Sequence, residues 1–175
     1  MLGSKWCGLR CKTRLSDNIC SIYNLSNYTS FFNSKNTESG GVALYIKKLH
    51  CHLLPALSFQ YSHIEFIFVK LTHPYNIVIG MLYRPSNSSF EDFLISINSI
   101  IETLQIEKSS CYLMGDFNID LLREVNRMHS FVNSLYSYFL FPTITKPTRV
   151  TGTSATLIDN TWTSNLENHE YLLIE

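Results

Sequence analysis

From Gly41 onward the apolar positions fall into regular periods. Val42, Leu44 and Ile46 alternate with Ala43, Tyr45 and Lys47, the two-residue period of a strand. Residues 64–71 predict a second strand, with Glu65 and Lys70 set among apolar neighbours, and a turn follows at His73, Pro74, Tyr75 and Asn76. Residues 76–83 predict a third strand with Ile77, Val78, Ile79, Met81 and Leu82 as its body, closed by Arg84 and Pro85. Strand, turn and strand together predict an antiparallel pair. The period then lengthens to that of a helix: Phe90, Phe93, Leu94, Ile97, Ile100, Ile101 and Leu104 share one face, and Ser88 stands at capping-box spacing from Glu91. Met128, Phe131, Val132, Leu135, Tyr138 and Phe139 form the stripe of a second amphipathic helix, which reads as core. Residues 1–40 read mostly as loop. Residues 141–149 carry two prolines and are expected to be extended, and residues 155–163 predict a strand with Asp159 inside it.

Between the two helices lies C-Y-L-M-G-D-F-N-I-D-L-L, residues 111–122. A short apolar run entering Gly115 and then Asp116, Asn118 and Asp120 is the pattern of a buried strand that delivers polar groups at its carboxyl end. On an extended backbone Asp116 and Asn118 would point the same way, toward one ligand or metal, with Phe117 anchoring the other face. Gly-Asp-Phe-Asn reads equally well as a turn. Asp159 in an apolar strand is costly without a cation, a histidine or several donors, so it is either capped structurally or part of a site.

Composition narrows the picture. The 175 residues are 45% hydrophobic and 16% charged, which predicts one globular domain with a real core. The 14 basic and 14 acidic residues cancel, so a nucleic-acid partner would need a local patch. Cys7, Cys11, Cys20, Cys51 and Cys111 form an odd set behind an amino terminus with no continuous apolar segment, and read as reduced intracellular thiols. Neither Cys7 with Cys11 nor the His50, Cys51 and His52 group has paired zinc-ligand spacing. Residues 64–83 are interrupted by Lys70, His73 and Pro74, so no membrane span is expected.

Five motifs in order carry a family resemblance: G-G-V-A-L-Y-I-K from Gly40, Y-R-P from Tyr83, G-D-F-N-I-D-L-L from Gly115, K-P-T-R from Lys146 and S-A-T-L-I-D-N from Ser154. The chain resembles the endonuclease/exonuclease/phosphatase superfamily, and within it the apurinic-type endonuclease domain of non-LTR retrotransposons of the jockey and CR1 kind. The resemblance implies an α+β fold, a DNase I-like four-layer α/β/β/α sandwich of two mainly antiparallel sheets, in one partial domain over residues 1–175. It implies DNA as partner, Mg2+ or Mn2+ as cofactor, a nuclear setting, a reverse transcriptase domain in cis, and a nick that primes reverse transcription. It implies that Asp116 activates water or serves the leaving group, Asn118 orients phosphate and nucleophile, Tyr83 donates to the phosphate and Asp159 orients a histidine. Thr156, Arg84 and Arg149 are placed toward phosphate or DNA.

The chain also departs from the family. Lys12 stands where relatives carry the metal-binding glutamate, and the early asparagine strand and the late Ser-Asp-His motif are not found, so truncation at both ends and an inactive polypeptide are expected. The competing readings are a decayed or domesticated remnant with weak nucleic-acid binding and a small-molecule phosphatase of the same superfamily. The retroelement reading makes a geometric demand: Tyr83, Asp116, Asn118 and Asp159 must converge at one end of the sandwich.

Overall fold

A computed structural model describes residues 7–11, 23–33, 41–47, 50–54, 64–73, 76–104, 109–123 and 125–165. Its elements run β1 (Cys7–Cys11), β2 (Tyr28–Asn33), β3 (Val42–Lys47), β4 (His50–Leu53), β5 (Glu65–His73), β6 (Ile77–Tyr83), α1 (Phe90–Leu104), β7 (Ser110–Asp116), α2 (Asn126–Ser137), β8 (Phe141–Pro142), β9 (Arg149–Val150), β10 (Ala155–Thr156) and β11 (Asp159–Thr163). Six strands form one sheet in the order β4-β5-β6-β7-β11-β8, β1-β3-β2 form a second, and β9 and β10 make a short ribbon. Among the described strands all pairings are antiparallel except β6 with β7, and that parallel step is made through the helical connection α1.

The alternation of side chains along the six-stranded sheet separates two cores. Phe68, Val78, Leu82, Leu113 and Trp162 face one way and pack with Phe93, Ile97 and Ile100 of α1 and Phe131 and Leu135 of α2. Ile67, Val69, Ile79, Met81 and Met114 face the other way and meet Val42, Leu44 and Ile46 of β3. The fold is therefore α+β, and the described residues form a helical layer and two stacked sheets. On the helical side Phe131 sits at the hub, 5.2 Å from Phe117, 5.4 Å from Trp162 and 5.9 Å from Phe93 between ring centroids. Aromatic pairs at such spacing add about 0.5–1.5 kcal/mol each beyond the area they bury. Among the described residues no helix is long and apolar enough to cross a membrane.

Several local expectations need correction. Of residues 1–40, expected to be mostly loop, the described ones are mostly strand: β1 and β2 flank β3, and their pairing comes from that distant strand, which a local reading does not contain. The cap of α1 is Ser89, whose Oγ accepts from Asp92 N–H at 3.2 Å, while Ser88 Oγ donates to Pro85 O at 2.8 Å and closes the preceding turn. Phe139 is 69% exposed with φ 57°, because α2 ends at Ser137 and the chain turns left-handed before the stripe can continue. The strand expected at 155–163 is broken at Leu157 and Ile158. Those two residues bond the 117–121 loop, through Phe117 N–H to Ile158 O and Leu121 N–H to Leu157 O, both at 3.0 Å.

Candidate active site

The register of the large sheet places four polar residues in one row. Glu65 on β5 pairs with Tyr83 on β6, Tyr83 with Asp116 on β7, and Asp116 with Asp159 on β11. Directly paired residues share a face, and alternation from Ile67, Met81 and Met114 puts this row on the face turned toward the three-stranded sheet. The row therefore caps the apolar layer between the sheets. Glu65 is buried and its carboxylate accepts from the Gly41 N–H just before β3, which ties the row to the second sheet. Tyr83 is buried, and Asp116 and Asp159 are half-buried. Asp116 and Asp159 stand directly opposite each other on the antiparallel β7–β11 pair.

Asn118 reaches the row by a different route from the one expected. The strand ends at Asp116; Gly115 has φ 155° and Asn118 φ 49°, so the backbone turns where an extended strand had been assumed. Asp116 Oδ1 accepts from Asn118 N–H at 3.0 Å, closing an Asx turn, so the turn reading of Gly-Asp-Phe-Asn is correct locally. Asp120 is structural: its Oδ1 accepts from Leu157 N–H at 3.0 Å and Leu122 N–H at 3.2 Å, holding the lead into β11. Arg123 Nε approaches Asp120 Oδ2 to 3.2 Å, but without hydrogen-bond alignment and from a 70% exposed side chain, so that ion pair contributes little.

The cationic candidates diverge. Arg149 is exposed and pairs with half-buried Thr156 across the β9–β10 ribbon, and Thr148 Oγ1 accepts from the Asp159 N–H at 3.3 Å, joining that ribbon to the row. Arg84, expected at a phosphate, is only 5% exposed. Its Nη1 donates to Asn118 O at 3.2 Å and Phe117 O at 3.5 Å, its Nη2 to Ser88 O at 2.8 Å, and its guanidinium lies 5.5 Å from the centroid of the Phe93 ring. Burial lowers its pKa from the ordinary value, and nearby Arg127 adds to that, against smaller opposing contributions from Glu91 and Asp116. Lys12 lies outside the described residues, one position beyond β1.

The sequence matches no family model and no curated protein. Solved structures do resemble the fold. The endonuclease domain of TRAS1, a telomere-specific non-LTR retrotransposon, is 14% identical with TM-score 0.65, over 90% of this chain and 72% of that one. An AP endonuclease from Archaeoglobus fulgidus is 12% identical with TM-score 0.64, over 90% of this chain and 76% of that one. A 3′ phosphatase from Neisseria, bound to a product DNA hairpin, is 13% identical with TM-score 0.67, over 90% and 76% respectively. The chain has the endonuclease/exonuclease/phosphatase superfamily fold.

Within that fold the row stands where two sheets and a turn meet, and two of its supports escaped the sequence reading. Glu65 was noted only as a polar residue in an apolar strand, although its burial cost was signal enough to flag it. Arg84 was placed toward phosphate or DNA by the resemblance, while its place beside Tyr83 and before Pro85 pointed to a fixed turn. As a metal centre the described part does not fit. Asp116 and Asp159 are hard oxygen ligands of the type magnesium takes, yet no three His, Cys, Asp or Glu side chains of the described residues come together to hold an ion.

Proposed function

We propose that this chain is a DNA phosphodiesterase domain of the retrotransposon endonuclease kind, and that as it stands it does not cut DNA. The observation that carries the reading is the row of Tyr83, Asp116 and Asp159 on three adjacent strands, with Asn118 turned back onto it. Phosphoryl transfer spreads negative charge over oxygens, and a site for it needs fixed donors and a positioned base. The Tyr83 hydroxyl and the Asn118 carboxamide are the donors, and Asp116 is the base or leaving-group acid. Asp159, opposite Asp116, orients a histidine supplied by a Ser-Asp-His segment. The likeness to nuclease folds, one of them from a retrotransposon, supports this choice over a small-molecule phosphatase.

The inactivity rests on Lys12. In the position that the resemblance gives to a metal-binding glutamate, an ammonium repels a divalent cation instead of binding it. The test is relaxation of supercoiled plasmid in Mg2+ or Mn2+. The native chain is expected to leave the plasmid supercoiled. A chain with Lys12→Glu, extended by a Ser-Asp-His segment, is expected to nick it, and Asp116→Ala in that background to lower the rate by about a hundredfold or more. A well-folded restored chain that stays inert would overturn the nuclease reading in favour of a non-catalytic remnant. Nicking by the native chain that is lost in Asp116→Ala would overturn the inactivity.

A further inference from the structure

Arg84 is a buried cation with no carboxylate partner among the described residues. Among the described residues its polar contacts are to backbone or to Asn118, and most converge on one turn. Its main-chain N–H donates to Asp116 O at 2.9 Å, its main-chain O accepts from Asn118 Nδ2 at 2.6 Å, and its Nη1 donates to the carbonyls of Phe117 and Asn118. Three consecutive residues are thus held from one, in both directions. The turn they form includes Asn118 at φ 49°, a conformation that costs a non-glycine residue energy and persists only where its surroundings fix it. The guanidinium is itself fixed by Ser88 O and by the Phe93 ring, while its Nε has no hydrogen-bond partner among the described residues. A structural cation chosen only for stability would not be left with an unmet buried N–H, since an apolar side chain of similar volume avoids that cost.

We infer that Arg84 is a positioning residue, which locks the Asp116–Phe117–Asn118 turn so that the Asn118 carboxamide and the Asp116 carboxylate face one phosphate. The inference rests on the proposed roles of Asp116 and Asn118 for its purpose, but its geometry is independent of them. Arginine is required because the turn is held through a planar fork with several donors; a lysine at the same place has one compact ammonium and cannot bridge Ser88 and the turn together. Direct contact with DNA is not its role, because the side chain is turned into the protein.

The experiment is solvent exchange of side-chain protons in the isotope-labelled full chain, read by NMR, which needs neither cleavage nor DNA. In the native chain the Arg84 Nε–H is expected to exchange slowly near neutral pH because it is buried; a rapidly exchanging Nε–H would show an exposed side chain and overturn the inference. In Arg84→Lys the Asn118 carboxamide is expected to exchange roughly tenfold faster or more, the change that loss of charge-assisted hydrogen bonds carries. The Asn160 carboxamide, bonded to Ile144 O at 2.9 Å and away from Arg84, is the control for global stability. Equal acceleration at Asn118 and Asn160, or none at either, reduces Arg84 to a residue that only stabilises the fold. Phe93→Leu keeps the arginine and removes the ring beside it, so a smaller acceleration confined to Asn118 is expected even if Arg84→Lys fails to fold; an unchanged Asn118 there overturns the inference. A failed nicking test leaves all these readouts intact.

Discussion

Gly115→Ala perturbs the site through the backbone alone. Gly115 pairs with Leu82 across the parallel β6–β7 step, and a Cβ built on it falls 1.8 Å from Leu82 O and 2.8 Å from Leu82 C. The obstacle is backbone, so no side chain can swing away. The oxygen has to retreat from 1.8 Å to the 3.4 Å of ordinary contact, and the two central strands part locally. Parting breaks one or two buried ladder bonds, at about 1–3 kcal/mol where a group is left unsatisfied, and the positive φ of 155° adds about 1 kcal/mol. The total is about 4 kcal/mol, a large share of the roughly 5–15 kcal/mol that holds a domain together. At about 2–4 °C per kcal/mol for a chain of this size, thermal unfolding followed by circular dichroism should show a fall of about 10 °C. Gly152→Ala is the control, because nothing lies within 4 Å of its Cβ, and a change within about 0.5 kcal/mol is expected. A Gly115→Ala midpoint indistinguishable from that control would refute the reasoning, since it would mean the β6–β7 register is not as described. The same displacement carries Asp116, the next residue, out of the row.

Phe131→Ala removes the ring shared by Phe93, Phe117 and Trp162 and should cost about 3–5 kcal/mol by urea denaturation; a loss below about 1 kcal/mol would show that the three rings do not depend on it. Asn160→Ala strips the partners from Ile144 N–H and O, bonded at 3.2 and 2.9 Å, and should cost about 2 kcal/mol or more in the same assay, with unchanged stability refuting the pairing. Burial raises the Cys111 thiol pKa well above its ordinary value, so above about pH 8.5 the unfolded thiol loses a proton that the folded one keeps. The folded state then binds more protons, and stability falls as pH rises, by at most about 1.4 kcal/mol per pH unit from this group. Cys111→Ala should flatten that slope in urea titrations between neutral and alkaline pH; identical slopes would count against the burial.

The parts of the fold that were legible were those whose stabilising contacts repeat along the sequence. α1 shows its apolar stripe over its own residues and falls at Phe90–Leu104 as the period requires, and β3, β5 and β6 follow their alternation within a residue or two. β1, β2 and β4 did not announce themselves. β2 is half-buried along most of its length, and β4 is an edge strand with His50, His52 and Leu53 exposed, so neither has the apolar run of a central strand. Phe139 failed for the opposite reason: its residue type fits the stripe of α2, but the backbone leaves the helix before reaching it.

For the candidate site, motif order could propose residues but could not place them. Motif order named Tyr83, Asp116, Asn118 and Asp159, but only strand register puts three of them in one row, and only the left-handed turn brings in the fourth. The same register adds Glu65, which belongs to none of the five motifs. Arg84 carries the sharper lesson. A cation next to a candidate phosphate ligand suggests a phosphate contact, yet Tyr83 and Arg84 are consecutive on an extended strand end and must face opposite ways. With Tyr83 on the inter-sheet face, Arg84 is forced to the helical side, where Phe93 and the Ser88 carbonyl receive it. Alternation alone therefore places Arg84 on the opposite face of the sheet from Tyr83, where its contacts are with the 116–118 turn, Ser88 and Phe93.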